Sequence, residues 1–136
     1  MKRFGTAEWQ GTGKEGTGTI STETDAMKNA KYSYSSRFED GRGTNPEELI
    51  AAAHAGCFTM KLSFVLVAAG FTPSNIETRC TITLKNGAIT ESHLDVKAAV
   101  PNIDKAKYDE CVADAKANCP VSKLLNTNIT VASTLG

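Results

Sequence analysis

The sequence has no C-x-x-C pair: its four cysteines, Cys57, Cys80, Cys111 and Cys119, are separated by 23, 31 and 8 residues. No ready-made local dithiol or compact zinc motif exists, so any special thiol chemistry has to be assembled by the fold. Charge of one sign is also lacking. Fifteen basic and fifteen acidic residues cancel, and no basic run is longer than Lys2-Arg3, which removes the electrostatic footprint of a nucleic-acid binder. There are no repeats, low-complexity tracts or linkers. The opening Met1-Lys2-Arg3-Phe4-Gly5-Thr6 has no apolar core of a signal peptide, which predicts a cytoplasmic chain with reduced thiols. One long apolar stretch, Leu49 to Phe71, contains His54 and Lys61, is rich in Ala and has Glu47 and Glu48 at its front. It reads as a central buried helix rather than a membrane span.

What is present suits one α+β domain over residues 1–136. A chain of 136 residues with 40% apolar side chains can bury about two-thirds of its unfolded surface. Strands are expected at Arg3 to Trp9 and Gly16 to Thr22, around a Gly11-Thr12-Gly13 turn, and at Tyr32 to Phe38, where alternate residues share a face. The glycines of Gly16-Thr17-Gly18 suggest a strand that is closely approached. Thr44 or Asn45 then caps a helix with Pro46 in its first turn, and Glu47 and Glu48 complement its dipole. It should run to about Ala69, stopped by Gly70 and Pro73. Small or apolar residues around its whole circumference predict burial on all sides. Strands Ile76 to Leu84 and Ala88 to Val100 should pair through the Asn86-Gly87 turn. An amphipathic helix from Asp104 to about Ala117, a break at Cys119-Pro120, a helical turn Val121 to Leu125 and a last strand Asn128 to Ser133 complete the order βββαββααβ, sheet wrapped around a central helix.

Each candidate for chemistry has a competing structural role. Cys57 lies mid-helix, where a cysteine is commonly a small core residue and apolar surroundings raise the thiol pKa. To work as a thiolate near pKa ~6 rather than ~8.5 it would need roughly 3–4 kcal/mol of preferential stabilisation, which a fixed cation could supply. Arg37 is the candidate cation, or else a solvated strand-end residue; its planar fork could hold a thiolate and a carboxylate together. Glu47 stands ten residues before Cys57, about 15 Å along a helix. It is too far to touch the sulfur but could grip an arginine reaching between, or simply complement the helix dipole. Cys119, before Pro120 at a helix break, could present a thiol to a partner or be a buried turn residue. Cys80 and Cys111 read as core. His54, three residues before Cys57, could pair with it or form part of a zinc site with His93 and other cysteines, but the irregular spacings favour a buried, hydrogen-bonded histidine.

The run Thr44-Asn45-Pro46-Glu47-Glu48-Leu49-Ile50-Ala51-Ala52-Ala53-His54-Ala55-Gly56-Cys57-Phe58 closely resembles the central helix signature of the OsmC/Ohr family, the osmotically inducible and organic-hydroperoxide-resistance proteins. Asn118-Cys119-Pro120-Val121-Ser122 resembles that family's second cysteine motif, and Arg37-Phe38-Glu39 with Gly41-Arg42-Gly43-Thr44 is similar to its OsmC branch. Gly70-Phe71-Thr72-Pro73, Val100-Pro101 and the order of elements extend the likeness over the whole chain; only the hairpin around Lys85 to Ala88 is shorter. The resemblance implies an OsmC-like fold, an antiparallel sheet wrapped around a long helix, and an intertwined homodimer. It assigns Cys57 as peroxidatic cysteine, Cys119 as resolving cysteine, Arg37 as thiolate-stabilising arginine and Glu47 as the glutamate that orients it. It further implies a thiol peroxidase acting on organic hydroperoxides in oxidative-stress defence, restored by an external dithiol such as a lipoyl protein. No metal or organic cofactor, nucleic acid or membrane is expected. Phe58, Met60 or Leu124 could line an apolar substrate pocket. Two other classes compete: a thioesterase-like hydrolase with Glu47 or His54 as base, and a non-catalytic dimeric binding module with a structural Cys57–Cys119 bond.

Overall fold

The computed structural model describes residues Met1–Gly136, and the chain divides into two compact units, Met1–Leu49 and Ile50–Gly136. In the first, β1 (Gly5–Gln10), β2 (Thr17–Thr22) and β3 (Ala30–Tyr32) form an antiparallel sheet in the order β1-β2-β3. The expected close approach falls on Gly18, where a Cβ would collide with the Glu8 carbonyl and the rings of Trp9 and Tyr32. Those rings meet edge to face over this gap, with centroids 5.2 Å apart.

The strand expected over Tyr32 to Phe38 is not one strand. It ends at Tyr32, and Tyr34–Phe38 forms a short helix, α1. The cause is a reciprocal cap: the Ser36 amide donates to Ser33 Oγ (3.2 Å), and the Ser33 amide donates to Ser36 Oγ (2.8 Å). Two serines at this spacing satisfy orphan helix donors that an alternating strand would have to pair elsewhere. The order of elements is therefore βββααββααβ.

The long helix α2 (Pro46–Ala68) begins as the sequence predicts. Asn45 Oδ1 accepts from the Glu48 amide (2.8 Å), and Thr44 Oγ1 donates to Glu48 Oε2 (2.8 Å). It ends where Gly70 takes a φ of +95° and the Phe71 amide turns back to the Leu66 carbonyl (2.9 Å), a glycine stop that a side chain would strain. Burial on all sides is not what the chain achieves. His54, Phe58, Leu62 and Leu66 form a single buried stripe, whereas Met60 and Phe64 are 63% and 65% exposed. Four-residue spacing gives one face contact with the core, and a single chain supplies no layer for the opposite face. α2 is long and apolar enough to cross a membrane by length and composition, but its core stripe includes a histidine hydrogen-bonded to two serines.

The second unit pairs β4 (Asn75–Lys85) and β5 (Ala88–Ala99) antiparallel, through Asn86 and Gly87 at positive φ (53° and 78°), as an Asn-Gly turn requires. Helices α3 (Lys105–Asn118) and α4 (Pro120–Leu124) carry the chain back, so that β6 (Asn128–Leu135) joins β5 in parallel. This corrects the all-antiparallel expectation: a strand that returns through a helical crossover starts from the same end as its neighbour. The core joins Phe58, Leu62 and Leu66 of α2, Leu94, Val96 and Ala98 of β5, and Tyr108, Cys111, Val112 and Ala115 of α3.

Cys111, 2% exposed, should behave as a packing residue. Cys111→Ala is expected to cost about 1–3 kcal/mol, and Leu62→Ala, at a fully buried position, about 2–5 kcal/mol, by urea denaturation. Folded Cys111→Ala should keep its full reactivity toward oxidants.

Candidate active site

Cys57 is half-buried in the interior of α2, where the backbone donors are consumed by the helix itself. Its thiol therefore depends on groups brought from elsewhere. Burial pushes it above the ordinary cysteine value, and the neighbouring Cys119 side chain pushes it further; the Val121 backbone amide and the Lys61 charge act in the opposite direction. Both thiols are free. Cys119 is fully buried and serves as the C-cap of α3 and the N-cap of α4. The local sequence explains why the Val121 amide is available. Pro120 opens α4 without an N–H, so Val121 carries the first amide of the turn that has no partner within it.

Arg37 and Glu47 meet in the first unit. Arg37 Nε donates to both carboxylate oxygens of Glu47, at 2.7 and 3.3 Å, with Glu47 only 13% exposed and Arg37 40%. The segment between them is pinned: Ser36 Oγ donates to the Thr44 carbonyl (2.8 Å), and Asn45 Nδ2 donates to the Ser36 carbonyl (3.1 Å). The carboxylate engages Nε, which leaves the two terminal groups of the fork free to bind another anion. The guanidinium also lies 5.0 Å from the Phe38 ring centroid. Arg37 and Phe38, with Trp9, Tyr32 and Tyr34, line a cleft of about 220 Å³.

His54 is fully buried, as expected, and bonded at both nitrogens: Nδ1 to Ser92 Oγ at 2.6 Å and Nε2 to Ser122 Oγ at 2.8 Å. Desolvation holds its pKa below the ordinary histidine value, so the ring is neutral at neutral pH. Cys80 Sγ lies 3.3 Å from Ser92 Oγ; burial raises the Cys80 thiol, and the Ser92 contact lowers it. Burial also raises Cys111. His93, weighed as a possible zinc ligand, instead bonds Thr130 (2.6 Å) and approaches Asp95 (3.4 Å).

The sequence candidates thus fall into two pairs, Cys57 with Cys119 and Arg37 with Glu47, in separate units. Phe58 is fully buried in the core, so it does not line a substrate pocket. Lys61, Val121, Ser92 and Ser122 have no chemical role in the sequence reading. Lys61 had a signal, the i,i+4 spacing from Cys57 along a helix. Ser92 had none, because only the sheet brings it to His54.

Residues 39–134 match the family model for OsmC-like protein. The chain is 47% identical over 135 residues to Peroxiredoxin OsmC of Escherichia coli (strain K12), covering 96% of this chain and 94% of the relative. It is 31% identical over 96 residues to Organic hydroperoxide resistance protein-like 2 of Staphylococcus epidermidis, covering 68% of each. The crystal structure of an OsmC-like protein from Mycoplasma pneumoniae superposes with a TM-score of 0.78 at 16% identity, covering 99% of this chain and 97% of the other.

The buried imidazole predicts an acid limb of stability. Its folded pKa is depressed, so the unfolded chain takes up the proton first as pH falls. Stability is complete above the ordinary histidine value and is lost as pH drops through it toward the folded value. Urea midpoints between about pH 7.5 and about pH 5.5 should fall in the parent and fall less in His54→Gln.

Proposed function

Because the chain belongs to the OsmC-like protein family, we propose that it is a cytoplasmic thiol peroxidase that reduces organic hydroperoxides to alcohols in oxidative-stress defence. The observation that carries this reading is the pairing of two free thiols, half-buried Cys57 and buried Cys119, packed together at the edge of the core. The names of the relatives, a peroxiredoxin and an organic hydroperoxide resistance protein, point to the same chemistry.

The Cys57 thiolate attacks the distal oxygen of the hydroperoxide. The O–O bond breaks, the alcohol leaves, and a sulfenic acid forms. Cys119 condenses with it to a disulfide, releasing water, and an external dithiol, such as a lipoyl protein, reduces both sulfurs. Arg37, oriented by Glu47, stabilises the thiolate and the charge developing on the leaving oxygen. A raised resting thiol supports the need for such a cation, because burial alone keeps Cys57 protonated. The short Arg37–Glu47 contact supports the orienting role. The whole chain acts as one domain in this reading, supported by a relative whose likeness runs over 96% of this chain and so takes in both units. The active form is a homodimer, supported by the apolar face of α2 that one chain leaves open at Met60, Phe64 and Val67. A thioesterase-like hydrolase fits less well: both nitrogens of His54 are engaged by serines and Glu47 is engaged by Arg37, so neither is a free base.

Titration of thiols with cumene hydroperoxide tests the reading. A peroxidase loses the Cys57 and Cys119 thiols rapidly and regains both with a dithiol, whereas a hydrolase or a binding module keeps them. Cys57→Ser should abolish turnover, and Cys119→Ser should oxidise once and stall as a sulfenic acid. Sulfenate trapped on Cys119 in the Cys57→Ser protein would reverse the assignment. Arg37→Ala should slow single-turnover oxidation most at neutral pH and recover in alkali, where the thiolate forms unaided. Arg37→Lys should restore the rate only in part, because an ammonium lacks the fork. Glu47→Gln should have the smaller effect. Parental oxidation by Arg37→Ala at pH 7 would remove the arginine from the mechanism.

A further inference from the structure

The chain Cys80–Ser92–His54–Ser122, buried at all but the half-buried Cys80, has no part in the chemistry above, yet it occupies volume that an aliphatic side chain could fill. His54 is fully buried, and its ring joins three elements: its own helix α2, β5 through Ser92 at 2.6 Å, and α4 through Ser122 at 2.8 Å. A neutral imidazole offers one donor and one acceptor, and a serine hydroxyl can take either role. Both nitrogens are thus satisfied without a buried charge, whichever tautomer is present. Ser92, itself fully buried, fixes the ring from the sheet side, and the ring then holds Ser122.

The element held in this way is the one that most needs holding. α4 has five residues, too few to be stable through its own hydrogen bonds, and it ends at Leu124, 77% exposed. It nevertheless carries the Val121 amide, which favours the Cys57 thiolate, and is capped by Cys119. Ser122 follows Val121 directly, while His54 precedes Cys57 by three residues on α2, which places both on one face of that helix. The His54–Ser122 bond therefore ties α4 to α2 beside the two thiols.

We propose that His54 is a positioning residue for disulfide formation, which holds Ser122 and thereby keeps Cys119 within reach of the Cys57 sulfur. The inference rests on the peroxidase reading for its biological meaning but not for its test. In the step concerned, the Cys119 sulfur attacks the Cys57 sulfenic acid. The S–S bond forms, the S–O bond breaks, and the hydroxyl leaves with the thiol proton as water. His54 neither gives nor takes that proton, because Ser122 occupies its Nε2 and Ser92 its Nδ1. It acts by placing the sulfur.

The test compares the parent with His54→Phe, which fills the space without hydrogen bonds, and His54→Gln, which keeps one donor and one acceptor. Two oxidants are used, cumene hydroperoxide and the thiol-specific oxidant diamide. In stopped-flow single turnovers, formation of the Cys57 sulfenic acid should slow much less than closure of the disulfide in both variants. Closure of the disulfide should slow by about tenfold or more in His54→Phe, the scale expected from misplacing a reacting atom, and recover largely in His54→Gln. Ser122→Ala removes the same bond by deleting one oxygen. It should slow closure in the same direction, and it decides the question should His54→Phe not fold. Parental closure rates in folded His54→Phe or in Ser122→Ala would overturn the proposal, as would a His54→Gln protein as slow as His54→Phe. If the parent ignores the hydroperoxide but closes its disulfide with diamide faster than His54→Phe does, the peroxidase reading falls and the positioning role stands.

Discussion

The structure is organised around a thiol in the interior of a helix. Cys57 can draw nothing from its own backbone, since the amides around it are committed to the helix, and its apolar setting disfavours the charged form. What acts on the sulfur must come from side chains or from other elements. The second unit supplies Lys61 from the next turn of α2, the Val121 amide from α4 and the Cys119 thiol at the α3–α4 break. Several features follow from that requirement. The break needs a proline that cannot continue α3 and that leaves the next amide free. The crossover through α3 and α4 then forces β6 to run parallel to β5.

The same logic separates what the sequence shows from what it hides. α2 is legible because its signals are local: Asn45 and Pro46 at the start, acids in the first turn, Gly70 at the stop. The Asn86-Gly87 hairpin and the Asp104 cap are legible for the same reason. Tyr32 to Phe38 misleads because its alternation suits a strand, while Ser33 and Ser36 form a reciprocal cap that turns the backbone into α1. The direction of β6 is hidden because parallel pairing is a property of the crossover, not of the strand. At the site, Cys57, Cys119, Arg37 and Glu47 stand out by residue type and motif. The partners of His54 do not, since Ser92 lies 38 positions away and Ser122 68.

The composition of α2 is a separate matter. Its apolar circumference is informative even though burial on all sides fails in a single chain. A lone chain satisfies the stripe His54, Phe58, Leu62 and Leu66 and leaves Met60, Phe64 and Val67 in water. Large apolar side chains gathered on one exposed helix face carry a cost in water that a covering layer would remove, which is the physical content of the homodimer proposal.

Burial drives both titratable groups near the second cysteine toward their uncharged forms, raising the Cys57 thiol and lowering the His54 imidazole. A thiolate–imidazolium pair, on which cysteine hydrolases depend, requires the opposite shifts. Here each group is held neutral by the same desolvation, and the ring is further occupied by two hydroxyls. A thiol that rests protonated, beside a second thiol and away from any free base, is poorly suited to acyl transfer. The proposed peroxidase chemistry asks instead for a cation that draws out the thiolate and a second sulfur that completes the reaction. The Arg37–Glu47 pair has the form such a cation needs, because the carboxylate fixes the guanidinium through Nε and leaves its outer groups to bind a developing anion. Cys119, buried at the joint between α3 and α4, is the second sulfur that the proposed chemistry calls on.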